Sequence, residues 1–475
     1  EEAIKEVVAR HEALRAVVSG NGESIIIYKN IPFENTYHDL SSFPDQELQI
    51  KTFISNEMQN VFDLQVGPLI RTFIHKLSDT HHYFTVVGHH ILCDGWSLGI
   101  ILENIAKIYN AKLNGKAVAL DKADQISDYA IEMAEFKNSK SHEQVKTYWI
   151  DLYKDGAPTL DFPTDYARPL NRNFRSNRYD HPISLGLVAK LKKLGAANGS
   201  SLVNTLLSAF ELFIYLKTNQ LDLIVGMPTA GQAATEKFEL VGHCVNLLAL
   251  RSKIDVELSF SNYLVKRKKD FFDAYENQKF TLGELVESLD QKKDYSRIPL
   301  LPILFNVDMS LDTSVSFDYL NYELISNPRI FETFEIFLNV TGSKSKFLLE
   351  WSYSTQLFKL ETIQHISLEF EKLLETLTLE PSISFKDLAA RTAAYWDKKL
   401  VKWNETHITY QQEESLVNLF GAATDQYGMQ CALTFAEKKL SYHDLKKQAD
   451  KLSKYLVSKG VKIGDVVAIA LQPSV

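Results

Sequence analysis

TVVGHHILCDGWSLGIILENIAKI, residues Thr85–Ile108, is the stretch whose reading decides the fold. Tyr83, Phe84, Thr85, Val86 and Val87 are strand formers, and a short apolar run of this kind suits a central strand. From Ser97 the apolar residues fall at Leu98, Ile101, Leu102, Ile105, Ile108 and Tyr109, the i, i+3, i+4 spacing of an amphipathic helix. Between them stands HHILCDG, His89 to Gly95, which sets two imidazoles at the end of a strand and a carboxylate and a glycine at the mouth of a helix. Rigid elements on both sides hold such a loop still while leaving it exposed, which is what catalytic groups need.

A lone histidine near a strand end is ordinarily just a satisfied polar side chain. The chain carries its own control: His81 and His82 form the same dipeptide, but no Asp and Gly follow at that interval, so they are assigned to an exposed strand start. The second pair differs by the whole set, His, His, Asp and Gly at fixed spacing.

At 475 residues, 45% hydrophobic and 24% charged, the chain is too long for one ordinary domain and can bury substantial cores. A net charge of -8 argues against a nucleic-acid partner, because phosphate binding needs a basic face. Cys93, Cys244 and Cys431 are an odd number of cysteines without metal-ligand spacing. That fits a reducing cytoplasm, argues against a disulfide scaffold and gives no metal site. Cys93 is read as packing, not as a nucleophile. No apolar run reaches the roughly 18 to 20 residues of a membrane span, and no membrane partner is expected. The N-terminal EEAIKEVVARHEALR lacks the apolar core of a signal peptide and reads as an amphipathic helix already under way, with Ile4, Val7, Val8 and Leu14 on one face.

Further along, strands are expected at Ser24–Tyr28 and Leu69–Leu77, a helix at Asp45–Asn60, and one charged helix across Asp124–Trp149. Leu160–Tyr179, rich in Pro, Asn and Arg without apolar period, reads as a connector. Helices at Ser184–Ala197 and Leu202–Lys217 precede the strand LDLIVGMP, and a polar loop from Thr229 feeds a strand ending at Arg251. Strands follow around Tyr319–Ile325, Glu335–Val340 and Phe347–Tyr353, then a helix over Glu361–Leu377.

HHILCDG matches the HHxxxDG motif of the condensation domains of nonribosomal peptide synthetases, shared in looser form by chloramphenicol acetyltransferase and related acyltransferases. RHEALR, Arg10–Arg15, resembles that family's RHExLR motif, and PLIR, ending at Arg71, another of its phrases. TAGQAATEKFELVGHCVNLLALR, Thr229–Arg251, is similar to the region where the second lobe reaches across the first, with Gln232 in place of the usual arginine and Cys244 in place of the usual aromatic. His243, a single histidine in that loop, is assigned to structure.

The resemblance implies an α+β fold of two chloramphenicol acetyltransferase-like lobes forming a V-shaped pseudo-dimer. The lobes are placed at residues 1–168 and 169–378, an interdomain linker ending in WNET at 379–410, and the truncated start of an adenylation domain at 411–475. It makes His90 the catalytic residue, with His89 and Asp94 mainly structural and Gly95 lining the acceptor's channel. A carboxylate packed beside a motif is costly unless paired; Arg15 and Arg71 are the two partners the resemblance offers Asp94. The implied reaction is amide formation between substrates carried on the phosphopantetheine of donor and acceptor carrier domains, with no cofactor bound by this chain and an adenylation domain in the same polypeptide. An ester-forming acyltransferase using CoA or a carrier thioester, and a non-catalytic recruitment domain, are the competing classes. Heterocyclisation domains carry aspartates where His89 and His90 stand, and epimerisation domains usually continue DGVSWR where this chain has DGWSLG.

Overall fold

The computed structural model describes all residues except 290–293, 295, 310–314, 328, 344–345, 408–414 and 473–475. The chain divides into two compact units, Glu1–Thr392 and Ala393–Val475.

In the first unit, the opening helix Glu2–Arg10 buries Ala3, Ile4, Val7 and Val8 against Ile100, Ile101, Ile105 and Ile108 of the helix Gly95–Leu113. Each such aliphatic side chain contributes roughly 1.5 to 3 kcal/mol on full burial, so this seam fixes the motif helix in place. The strand before that helix, His81–Gly88, pairs antiparallel with Ile70–Ser78, which pairs parallel with Asn35–Asp39. His81 and His82 lie exposed at the strand start, as their spacing predicts.

The second half builds a six-stranded mixed sheet in the order Ser176–Pro182, Phe347–Ser354, Ile336–Gly342, Ile303–Asp308, Asp222–Ala230, Val245–Lys253. Ile336–Gly342 and Asp222–Ala230 both run parallel to Ile303–Asp308. These inner strands are covered on both faces and are accordingly apolar nearly throughout. Each half thus has its own sheet and helices, the mixed α and β architecture expected of the chain.

Leu202–Thr218 is buried all round, including Leu206, Leu207, Leu212 and Ile214. Together with Leu185–Ala197 it forms a bent pair apolar enough for a membrane, but that surface is spent on the protein's own core. Among the described residues no single helix is long and apolar enough to cross a membrane.

Several sequence expectations need correction. The charged helix across 124–149 is two helices, Ile126–Lys137 and Lys140–Leu152, because Ser139 breaks the run and accepts the His142 N–H at 3.2 Å as an N-cap. The end of the connector runs into the edge strand Ser176–Pro182, whose polar sequence SNRYDHP hides it. Tyr319–Ile325 is not a strand; Tyr319 is 91% exposed, and the segment contributes only an isolated bridge, Phe317 to Leu320. The segment assigned as linker from residue 379 is instead largely a helix, Phe385–Trp403, and Ile383, Phe385 and Leu388 are buried in the large core. The first unit therefore runs on to Thr392.

In the second unit, helix Leu416–Tyr427 is capped by Ser415, a hairpin joins Cys431–Phe435 to Lys438–Ser441, and helix Tyr442–Ser458 is capped by Ser441. The apolar run 465–471 finds no ladder partner among the described residues and is irregular.

Candidate active site

Strand His81–Gly88 ends one residue before His89, whose N–H still bonds Leu69 O at 2.9 Å. The His89 ring is then locked: Nδ1 accepts the Ile91 N–H at 3.1 Å, and Phe62 packs edge-on against it. Because Nδ1 is an acceptor, a neutral His89 carries its proton on Nε2. Burial first, and His90 second, hold its pKa below the usual histidine value.

His90 points the other way. Its ring is exposed, and Nδ1 lies 3.0 Å from Nδ1 of His243 in a T-shaped contact. Among the described residues no protein group bonds Nε2 of His90. The two adjacent imidazoles are thus separated in role by geometry: one is tied into its own loop, the other faces outward with a free ring nitrogen.

Asp94 is 2% exposed and caps the helix Gly95–Leu113. Its carboxylate accepts the Ser97 N–H at 2.9 Å, lies 2.8 Å from Ser97 Oγ, and benefits from the positive end of the helix dipole. It also reaches into the second half of the chain, accepting the Cys244 N–H at 3.1 Å and the Gln232 amide Nε2 at 3.0 and 3.2 Å. Neither candidate arginine touches it. Arg71 pairs with Glu57 at 2.8 Å, donates to Asn60 O at 2.8 Å and lies over the Phe62 ring at 3.8 Å. Arg15 donates to the carbonyls of Tyr28 and Lys29. The expectation of an arginine partner for Asp94 is therefore wrong. Backbone and side-chain dipoles supply the compensation, and Gln232, the departure from the usual arginine, occupies the contact.

The second-half loop owes its shape to this clasp. Ser97 Oγ accepts the Gly242 N–H at 3.0 Å and lies 2.9 Å from Gly242 O, so the residues on both sides of His243 are bonded to the motif. The approach demands glycine at Gly231, where a Cβ would lie 2.3 Å from Cys244 O, while a Cβ on Gly242 would lie 2.5 Å from Ile126 Cδ1 and push that side-chain end aside. Trp96 adds a rim contact, its Nε1 donating to Phe238 O at 3.2 Å. A Cβ at Gly95, in contrast, would meet nothing within 4 Å, so the motif's glycine borders open space.

Cys93 and Cys244 are buried, and burial with Asp94 nearby pushes both thiols up to about 12, which leaves them without thiolate character. RHEALR lies outside the site. Burial lowers His11, 1% exposed, to about 4, and Glu12 accepts the Ser127 hydroxyl at 2.6 Å, fastening the opening helix to the segment around Gln125. Among the described residues no cluster of three or more His, Cys, Asp or Glu is gathered that would hold a metal ion.

His243, assigned to structure from the sequence, stands against His90, a placement that nothing in VGHCVN reveals.

Comparison with known proteins places these features in a wider set. The family model described as the condensation domain matches residues 1–400. Bacitracin synthase 3 of Bacillus licheniformis is 29% identical over 476 residues, covering 100% of this chain and 7% of that protein. Gramicidin S synthase 2 of Aneurinibacillus migulanus is 29% identical over 479 residues, covering 100% of this chain and 10% of that protein. This chain thus spans a tenth or less of those relatives. A holo four-domain nonribosomal peptide synthetase, AB3403, bound to AMP and glycine, shares the fold with a TM-score of 0.74 at 20% identity, over 98% of this chain and 36% of that one.

Proposed function

Because the chain belongs to the condensation-domain family of nonribosomal peptide synthetases, whose members catalyse peptide-bond formation, we propose that it joins two carrier-bound substrates through an amide bond with His90 as the proton-handling residue. The α-amine of an acceptor aminoacyl thioester attacks the carbonyl of a donor acyl thioester. A C–N bond forms, the donor C–S bond breaks, and the amine's proton passes to the departing thiolate. Both substrates ride on phosphopantetheine, so the reaction asks for no cofactor of this chain.

The chemistry demanded is modest, since a thioester is already activated. An exposed imidazole with a free Nε2 can take the amine's proton as attack proceeds, the part a histidine most often plays in general acid–base catalysis. Holding two tethered substrates in line supplies much of the rest, effective molarity being worth roughly 7 to 11 kcal/mol in good cases. The observation that carries this reading is an exposed His90 whose Nε2 has no protein partner among the described residues, beside a His89 whose ring is tied down. Asp94 in this account orders the loop, Gly95 leaves room for the acceptor, and Arg15 and Arg71 support the first half.

The donor and acceptor carriers, and an adenylation domain in the same polypeptide, follow as the partners. Residues 411–475 read as the opening of that adenylation domain. Val466, Ile469 and Leu471 are 96%, 84% and 81% exposed, apolar side chains that a larger folding unit would bury. A cytoplasmic setting agrees with three free cysteines.

The test is a panel of donor acyl carriers against aminoacyl carriers, read by intact mass. Amide product on the acceptor carrier supports the proposal. Ester formation with hydroxyl acceptors alone supports the acyltransferase alternative, and absence of any transfer across the panel argues for recruitment only.

A further inference from the structure

The loop that brings His243 to His90 is fixed with more care than a surface histidine needs. Gly242 N–H bonds Ser97 Oγ at 3.0 Å and Cys244 N–H bonds Asp94 Oδ2 at 3.1 Å, so both neighbours of His243 are anchored to buried polar atoms of the motif. Gly231 N–H closes the other side by donating to Cys244 O at 3.0 Å. The outcome is an Nδ1-to-Nδ1 contact of 3.0 Å between rings 153 residues apart in sequence.

Two neutral imidazoles at that distance share one proton between the facing nitrogens, and only two arrangements exist. If His243 donates, the single proton of neutral His90 sits on Nε2, which then cannot accept another. If His90 donates, its Nε2 is the free base. Once Nε2 takes up a proton, both ring nitrogens of His90 are donors, and only an accepting His243 keeps the contact bonded. Proton uptake at Nε2 therefore selects one arrangement throughout.

We infer that His243 is a positioning residue for amide formation: its Nδ1 accepts the Nδ1–H of His90, which fixes the His90 tautomer and leaves Nε2 as the base facing the substrate amine. The inference rests on the reading of His90 given above. Desolvation by its packed surroundings and, second, the adjacent His90 keep the His243 pKa below the ordinary value, against the opposite pull of Asp94, so that a neutral, accepting ring is favoured. The other titratable groups around the pair are His89, Cys93 and Asp94 on the motif, Cys244 on the facing loop and Tyr129 of the helix Ile126–Lys137. Of these, the two thiols and Tyr129 are raised well away from neutral pH.

The tautomer is directly readable in the full chain by two-bond proton–nitrogen correlation of nitrogen-15-labelled histidines at pH 8, with His90 assigned from His90→Ala. Expected is a His90 ring protonated on Nδ1; protonation on Nε2 would overturn the inference. In the loaded-carrier assay, His243→Phe keeps ring bulk without an acceptor, whereas His243→Asn keeps an oxygen near the Nδ1 position. Expected is a loss in kcat of tenfold or more for the Phe variant with KM for either carrier unchanged, and recovery to within threefold of wild type for Asn. Equal rates for the Phe and Asn variants, or an undiminished Phe variant, would overturn it. His90→Ala run alongside separates the two claims: if it keeps the wild-type rate, the reading of His90 fails; if it loses the rate while His243→Phe does not, only the role of His243 fails.

Discussion

The loop His89–Asp94 and the loop Leu240–Cys244 face each other, and they are held by opposite means. The first is self-supporting: a strand delivers it, a helix caps on its Asp94, and His89 bonds back to Ile91 within it. The second takes its shape from Asp94 of the first and from Ser97 in the helix that follows it. A residue that reacts can stand on the rigid loop, and the dependent loop can then be set against it to within one hydrogen bond. The lesson is that one buried carboxylate serves both ends, capping a helix and clasping the partner loop at once.

The comparison breaks first at Asp94. Asp94→Ala removes the helix cap and leaves the Cys244 N–H, the Gln232 amide and the Ser97 N–H short of their acceptor, so unfolding in urea should show a loss on the order of 4 kcal/mol, with amide formation falling more than tenfold. Asp94→Asn, keeping shape, should lose less stability and leave the pH dependence of the rate in place.

Acid sets a limit on both loops from outside the site. His11 is held neutral by burial, to about 4 against an ordinary 6.5, so its contribution is fully present above pH 6.5 and is lost as pH falls from there towards 4. That loss is on the order of 3 kcal/mol. Urea midpoints at pH 7 and 4.5 should converge for His11→Gln and diverge for wild type; equal pH sensitivity in both would place the acid-labile group elsewhere.

Gly95 sharpens the contrast on the rigid side. A Cβ there meets nothing, so Gly95→Trp should leave the melting temperature within about 2 °C of wild type while slowing transfer to the acceptor about tenfold. Unchanged transfer would mean that the open space beside Gly95 is not the acceptor's route. The smallest effect is expected from His89→Phe, which keeps the ring against Phe62 and gives up one hydrogen bond, costing roughly 1 kcal/mol of stability and less than threefold in rate.

The two loops also differ in how they could be read from the sequence. HHILCDG is contiguous, its control at His81–His82 lies nearby, and strand and helix periodicities flank it. The clasp is not contiguous: Asp94 meets Gln232 across 138 positions and Cys244 across 150, and a buried carboxylate announces that it needs donors without naming them. Arginine was the natural expectation, yet amide and backbone N–H groups at a helix end suffice. Ser176–Pro182 carries no strand signal because an edge strand needs no apolar alternation. The helix Phe385–Trp403 did carry a signal, Ser384 three residues before Asp387, whose N–H bonds Ser384 Oγ at 3.1 Å, but the texture around Pro381 read as linker. Tyr319–Ile325 erred the other way, its aromatics promising a strand where Tyr322 and Leu324 lie exposed instead.

The most direct measurement compares His90→Ala with His89→Phe in a single-turnover reaction between preloaded donor and acceptor carriers, followed by intact mass on samples whose melting temperatures match wild type. Proton handling by a positioned side chain is worth about 10² to 10⁴-fold, so His90→Ala should be slower by at least about 100-fold while His89→Phe stays within threefold. Equal, slight losses in the two variants would contradict the assignment of the exposed imidazole at position 90 as the working one.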